Sequence, residues 1–216
     1  MTDVFSCADP EQRATGFAEA HAALTRSGLV VMPTDTVYGL AADAFDPAGV
    51  RRLLRAKGRT RRMPTPVLIA SLDTLGALAT NVSPEARQLA EAFWPGGLTL
   101  ICRQQTSLSW DLGDSRGTVA LRIPNQADAL DLIGENGPLA VSSANTTGQS
   151  PATTVESARA MLGEAVDVYL DSGATPGGEP STMVDATGES LIVVREGVVG
   201  LEQLREVVSS VESAGS

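Results

Sequence analysis

Three times this chain uses the same punctuation: Asp9-Pro10, Asp46-Pro47 and Ser83-Pro84 each set a side-chain acceptor directly before a proline. The acceptor can bind the free N–H groups of a first helical turn, and proline suits the first helical position because it leaves no N–H unpaired. Each pair predicts a helix start, with stops at Gly28, Gly58 and Pro95-Gly96-Gly97. Between and after these helices lie short aliphatic runs: LVVMP (29–33), PVLIA (66–70), LTLIC (98–102), TVALRI (118–123), LAVSS (139–143), VDVYL (166–170), STMVDA (181–186) and LIVVRE (191–196). Such runs predict buried strands. Further helices are expected over 125–134, from Thr154 through Leu162, and over 200–211. Helices alternating with strands, some strands in succession, predict one α/β domain over residues 1–216, a twisted open mixed sheet flanked by helices. Its core should span about 15–205, with the tail 212–216 frayed.

Composition narrows the function classes. Hydrophobic residues make up 43%, yet there are only two Trp, two Tyr and four Phe, so the core must be aliphatic. Cys7 and Cys102 stand far apart and form neither a disulfide framework nor a metal-ligand spacing, which fits free thiols in a reducing cytoplasm. Met1–Pro10 has no basic or apolar signal region, and no run of 18 apolar residues predicts a membrane span. The single histidine, His21, falls in an amphipathic helix away from the polar clusters, which disfavours histidine triads and multi-histidine zinc sites. A net charge of −10 works against a broad nucleic-acid face.

Positive charge is nevertheless gathered in one place. RRLLRAKGRTRR, residues 51–62, holds the only lysine, Lys57, among its seven cations. Arg51, Arg52 and Arg55 read as a solvated helix face. Lys57 and Arg59 flank Gly58 just past the helix end, and an ammonium beside a guanidinium suits phosphate oxygens; cations are also favoured at a helix C-terminus for purely structural reasons. Three more polar clusters follow strands. PTDTVYGLAADA (33–44) offers Thr34, Asp35, Thr36 and Tyr38. RIP (122–124) ends an apolar strand with Arg122, which should meet a carboxylate of the protein or of a ligand. VSSANTTGQSPATT (141–154) presents Ser142, Ser143, Asn145, Thr146 and Thr147 before a turn at Gly148. The Gly/Pro-rich segment 172–181 reads either as a linker or as a ligand-covering loop. Neither GxxxxGK[ST] nor GxGxxG is present, so any nucleotide is held without those turns.

PTDTVYGL, K-G-R, WPGGLTL, ALRIP, S-A-N, STMVDAT and VREG occur in the order seen in YrdC-type proteins, over about residues 15–205. The chain resembles the short, single-domain form of that family. The resemblance implies a YrdC-like twisted sheet around a central, positively charged cavity. It implies the activity of an L-threonylcarbamoyl-adenylate synthase: L-threonine, bicarbonate and ATP give threonylcarbamoyl-AMP and pyrophosphate. Downstream transfer proteins then move the threonylcarbamoyl group to the adenosine beside the anticodon of tRNA, whose contact with this chain would be indirect or weak. Catalytic roles fall, by resemblance, on Lys57, Arg59, Ser143 and Asn145. ATP contacts fall on Lys57, Arg59, Thr118, Asn145 and Arg195, and L-threonine contacts on Thr36, Tyr38, Arg122, Ser143 and Ser181. No protein metal ligand is expected; Mg²⁺ would arrive with ATP, held mainly by phosphates. In the run KGRTRRMPTPVLIAS the chain departs from relatives, which have K-G-R-P and a histidine at the strand end; Arg61 and Arg62 receive no role. A noncatalytic RNA-binding module, or a paralogue acting on another carbamoyl or acyl substrate, are the competing readings.

Overall fold

The computed structural model describes residues 3–214. In chain order the elements are β1 (Asp3–Ser6), α1 (Pro10–Thr25), β2 (Val30–Met32), β3 (Gly39–Asp43), α2 (Pro47–Ala56), β4 (Val67–Leu68), α3 (Asp73–Leu78), β5 (Ala79–Thr80), α4 (Pro84–Phe93), β6 (Leu98–Gln104), β7 (Thr118–Arg122), α5 (Ala127–Asn136), β8 (Leu139–Ser143), α6 (Val155–Leu162), β9 (Val168–Asp171), β10 (Thr182–Asp185), β11 (Ile192–Arg195), α7 (Leu201–Val207) and β12 (Glu212–Ser213). The helix starts follow the capping chemistry. Asp9 accepts from the N–H groups of Glu11 and Gln12, Asp46 from Ala48 and Gly49, Ser83 from Ala86, and Thr154 from Ser157.

The strands form one mixed sheet in the order β1-β9-β2-β3-β8-β4-β7-β6-β10-β11-β12, with β5 pairing β6. Strand β2 is buried on both faces. Val30 and Met32 pack with Phe17 of α1 and Ile133 of α5, while Val31 packs with Leu53 of α2 and Ala158 of α6. Farther along, Leu98, Leu100, Leu121 and Val184 continue the face of Val31, against Leu75, Leu89 and Leu204 of α3, α4 and α7. The alternate residues of those same strands are left facing away from that core, and they build the site described below.

Several boundaries differ from the sequence reading. Asp3–Ser6 pairs in parallel with β9, so the sheet begins before residue 15; four residues with only one half-apolar face gave no run to detect. GLAAD, read as part of a polar stretch, is the central strand β3, paired antiparallel to both β2 and β8. Small residues there allow close packing but carry little strand propensity. The short elements α3 and β5 follow PVLIA and were not anticipated. The tail expected to fray from 212 instead pairs Glu212 and Ser213 with Ile192 and Val193 of β11, and α7 stops at Val207. Gly215 and Ser216, also placed in that tail, lie outside the described residues. Among the described residues no helix is long and apolar enough to cross a membrane.

Candidate active site

Period-2 alternation places the chemistry. On β7, Thr118, Ala120 and Arg122 share one face; on β6, Thr99 and Ile101 share it; Ser181 and Met183, leading into and along β10, continue it. Thr99, Arg122 and Ser181 line a cavity of about 110 Å³. Ile101, Ala120 and Met183, farther along the same strands, line a second, more apolar cavity of about 100 Å³. Pro66, just before β4, belongs to both walls. Beside Thr34 and Asp35 the site opens into a cleft of about 510 Å³ walled by Gly173–Pro176.

Arg195 reaches this face through an irregularity. The pairing of β10 with β11 shifts between Met183 and Val184, so that Met183 opposes Arg195 while Val184 opposes Val193. Val194 is the extra residue of a β-bulge. Val193 stays in the core behind the sheet, and Arg195 turns to the groove, where its Nη2 donates to the Ser181 carbonyl at 2.7 Å and to Ser181 Oγ at 3.2 Å. Ser181 Oγ in turn shares a 2.7 Å hydrogen bond with Thr99 Oγ1.

Arg122 finds the carboxylate its burial demands. Its Nη2 lies 2.5 Å from Asp35 Oδ1, its Nη1 donates to Thr36 Oγ1 at 2.9 Å, and its Nε donates to the Gly96 carbonyl at 2.9 Å. Burial pushes the guanidinium below its ordinary range, and Asp35 opposes that. Thr34 completes the group: its hydroxyl donates to the Val37 carbonyl at 2.7 Å and lies 3.1 Å from Thr36 Oγ1.

Lys57 behaves differently from the sequence expectation that its side chain leaves the helix surface. It caps α2 and is 0% exposed. Its ammonium donates to the Ser143 carbonyl, to the Asn145 carbonyl at 2.6 Å and to Asn145 Oδ1 at 3.2 Å, so all three of its N–H groups have partners. Its own carbonyl accepts from the N–H and Oγ1 of Thr147. Burial, and secondarily the nearby Arg59, push its pKa down to about 7. The lysine is a strut that ties the end of α2 to the 143–147 loop. Asn145 is used up in the same loop, its amide donating to the Thr146 and Gln149 carbonyls. Ser143 lines the cavity; Lys57 and Asn145 do not.

Gly58, at φ +64, turns the chain so that Arg59 enters the cavity. Nε of Arg59 is buried and without a hydrogen-bond partner. Burial lowers its pKa; burial also lowers that of Arg195, with Arg122 and then Arg59 adding to the effect. Three guanidiniums thus border one small cavity whose lining includes no carboxylate. That arrangement can accept a multiply charged anion; it offers no evident side-chain nucleophile.

Two expected contact residues have their hydroxyls engaged by the protein itself. Tyr38 lines the cavity, but its hydroxyl donates to the Gly173 carbonyl at 2.7 Å and accepts from Ser172 N–H, pinning the start of the Gly/Pro loop. Thr118 lies at the second cavity and donates to the Ser115 carbonyl. Thr99, Ser142 and Asp35 belong to the site without having been assigned a role. Thr99 left one signal, a polar residue at the centre of LTLIC.

Residues 22–197 match the Sua5/YciO/YrdC family, whose description reads "Telomere recombination". The chain belongs to this family. Among family members, a Mycobacterium leprae (strain TN) protein provisionally called a threonylcarbamoyl-AMP synthase is 50% identical, over 99% of this chain and 97% of its own length. The threonylcarbamoyl-AMP synthase of Bacillus subtilis (strain 168) is 35% identical over 98% of this chain, which spans 60% of that enzyme. The crystal structure of Pyrococcus abyssi Sua5 complexed with L-threonine superimposes with a TM-score of 0.91 at 31% identity, covering 99% of this chain and 63% of the archaeal protein. The chain thus spans less than two thirds of those two longer proteins, and the twisted open α/β fold is shared.

Proposed function

We propose that the protein, working as one YrdC-like domain, makes L-threonylcarbamoyl-AMP and pyrophosphate from L-threonine, bicarbonate and ATP. The observation that carries this reading is Arg59: a buried, unpartnered guanidinium N–H in a cavity bordered by two more arginines and no carboxylate. Such a site is incomplete without an anion. The relatives' shared name, and the threonine bound to the archaeal Sua5, support the identity of the anions.

Arg59 and Arg195 receive the phosphates, and the apolar cavity beside Thr118 receives the base. Arg122, with Thr36, Ser143 and Ser181 around it, receives L-threonine through its carboxylate. Lys57, Asn145 and Tyr38 act through the loops they hold and are positioning residues in this scheme. Threonine and bicarbonate condense to a carbamate with loss of water. A carbamate oxygen then forms a bond to the α-phosphorus as the bond to the β-phosphate bridging oxygen breaks, and pyrophosphate leaves. Holding the reactants in line and neutralising charge are what the protein supplies. Mg²⁺ carried on ATP would be held mainly by phosphate oxygens and water. The product is an activated acyl donor for threonylcarbamoyl transfer to tRNA adenosine by partner proteins in the cytoplasm. An RNA-binding module is disfavoured by the −10 charge and by a cavity too small for a duplex.

Pyrophosphate release from ATP should require both L-threonine and bicarbonate. Release that persists unchanged when threonine is omitted or replaced by serine sinks this assignment. Calorimetric titration with threonine separates it from the RNA module, which gives no heat.

A further inference from the structure

The segment 60–64, whose Arg61 and Arg62 had no role in the sequence reading, is not loose. Arg61 grips the 111–114 loop with a forked pair: Nη1 and Nη2 each lie 2.8 Å from an oxygen of Asp111, and Nε lies 3.3 Å from Asp114 Oδ1. The backbones are joined beneath it, with Asp114 N–H donating to the Arg61 carbonyl at 2.7 Å and Thr65 N–H to the Leu112 carbonyl at 3.0 Å. Gly113, at φ +105, makes this approach possible: a Cβ there would sit 2.8 Å from the Arg61 carbonyl oxygen. Trp110 anchors the far end, stacked on Phe45 at 5.4 Å and donating to Gln104 Oε1.

These two loops are the roof of the apolar cavity. Pro64, Thr65 and Pro66 come from one, Leu112 and Ser115 from the other, over a floor of strand residues. Thr65 Oγ1 is buried in that roof without a partner. Arg59 lies two residues before Arg61, so the same segment carries the cavity's roof and the phosphate-facing cation.

We propose that Arg61 is a positioning residue for the nucleotide: its fork on Asp111 and Asp114 closes the two-loop roof and fixes Arg59 relative to it. Arg61 is half exposed, 49% at the side chain, so its pairing contributes little to global stability. Its effect is confined to the geometry of the roof. This rests on the nucleotide reading of the preceding subsection.

The test compares wild type, Arg61→Ala, and the charge swap Arg61→Asp with Asp111→Arg. ATP binding is measured alone by titration, and steady-state kinetics are measured with each substrate varied. Arg61→Ala should weaken ATP binding and raise KM for ATP about twofold to fivefold, the scale by which exposed ion pairs bias a local equilibrium. Its kcat, KM for threonine and melting temperature should stay near wild type, and the swap should recover most of the ATP affinity. Unchanged ATP affinity in Arg61→Ala, an equal rise in both KM values, or a swap no better than the single variant each overturns the inference. ATP binding without threonine reads the clamp, and threonine-dependent pyrophosphate release reads the reaction, so the two proposals fail separately.

Discussion

Replacing Arg59 by methionine should make the ligand-free protein more stable and nearly inactive. The side chain is partly buried, its Nε has no acceptor, and burial holds its pKa below the ordinary range. A buried donor left unsatisfied costs about 1–3 kcal/mol. Methionine fills similar space without that cost, so unfolding free energy should rise by about 1–3 kcal/mol, or roughly 2–4 °C per kcal/mol for a chain of this length. In the synthase reaction the same change removes one aligned donor from a charge-developing phosphoryl group, a loss of about 10²–10³ in rate. Differential scanning calorimetry with and without ATP, beside a pyrophosphate-release assay, reads both effects. Wild type should gain stability with saturating ATP, and Arg59→Met should lose most of that gain. A variant that melts lower than wild type without ligand would show Arg59 to be a structural partner, and a more stable variant with intact activity would remove it from the site; either result refutes the reasoning.

Lys57 predicts a pH signature. Its folded pKa, about 7, lies below the ordinary 10.5, so between those values the unfolded chain binds more protons and stability rises with pH; below pH 7 the full cost of the buried charge is present. Chemical denaturation across pH 7–8.5, below the range where the raised Cys102 thiol contributes, should show this slope in wild type and a flatter one in Lys57→Met. Asp35→Asn leaves Arg122 buried beside a neutral amide; it should destabilise by about 3–5 kcal/mol by urea titration and raise the threonine requirement more than the ATP requirement.

What the sequence made legible is the part written in strong local chemistry. The Asx-Pro and Ser-Pro caps located three helices, and aliphatic runs located the strands that carry Thr99, Arg122 and Ser181. The polar clusters did converge: Thr36, Arg59, Arg122, Ser143, Ser181 and Arg195 line one cavity. Direction was not legible. Lys57 and Asn145 stand in the expected motif, yet the lysine's hydrogen bonds run to carbonyls 86 and 88 residues away, pairings set by the approach of α2 to β8. Tyr38 likewise spends its hydroxyl on a loop 135 residues away. Strand β3 hid because alanine and glycine, which let it sit between two strands, are weak strand formers.

The bulge at Val194 has a consequence for how this chain tolerates insertion and deletion. Either side of that residue, β11 runs in two different frames, one aiming Val193 inward to the core and one aiming Arg195 at the cavity. Removing Val194 alone would delete no contact of the cavity or the core, and it would set the arginine directly after Val193, where regular alternation opposite Met183 still turns it to the cavity side. At this position the strand can lose a residue without changing the face that either neighbour meets, because the exposed Val194 is the one residue that the bulge absorbs.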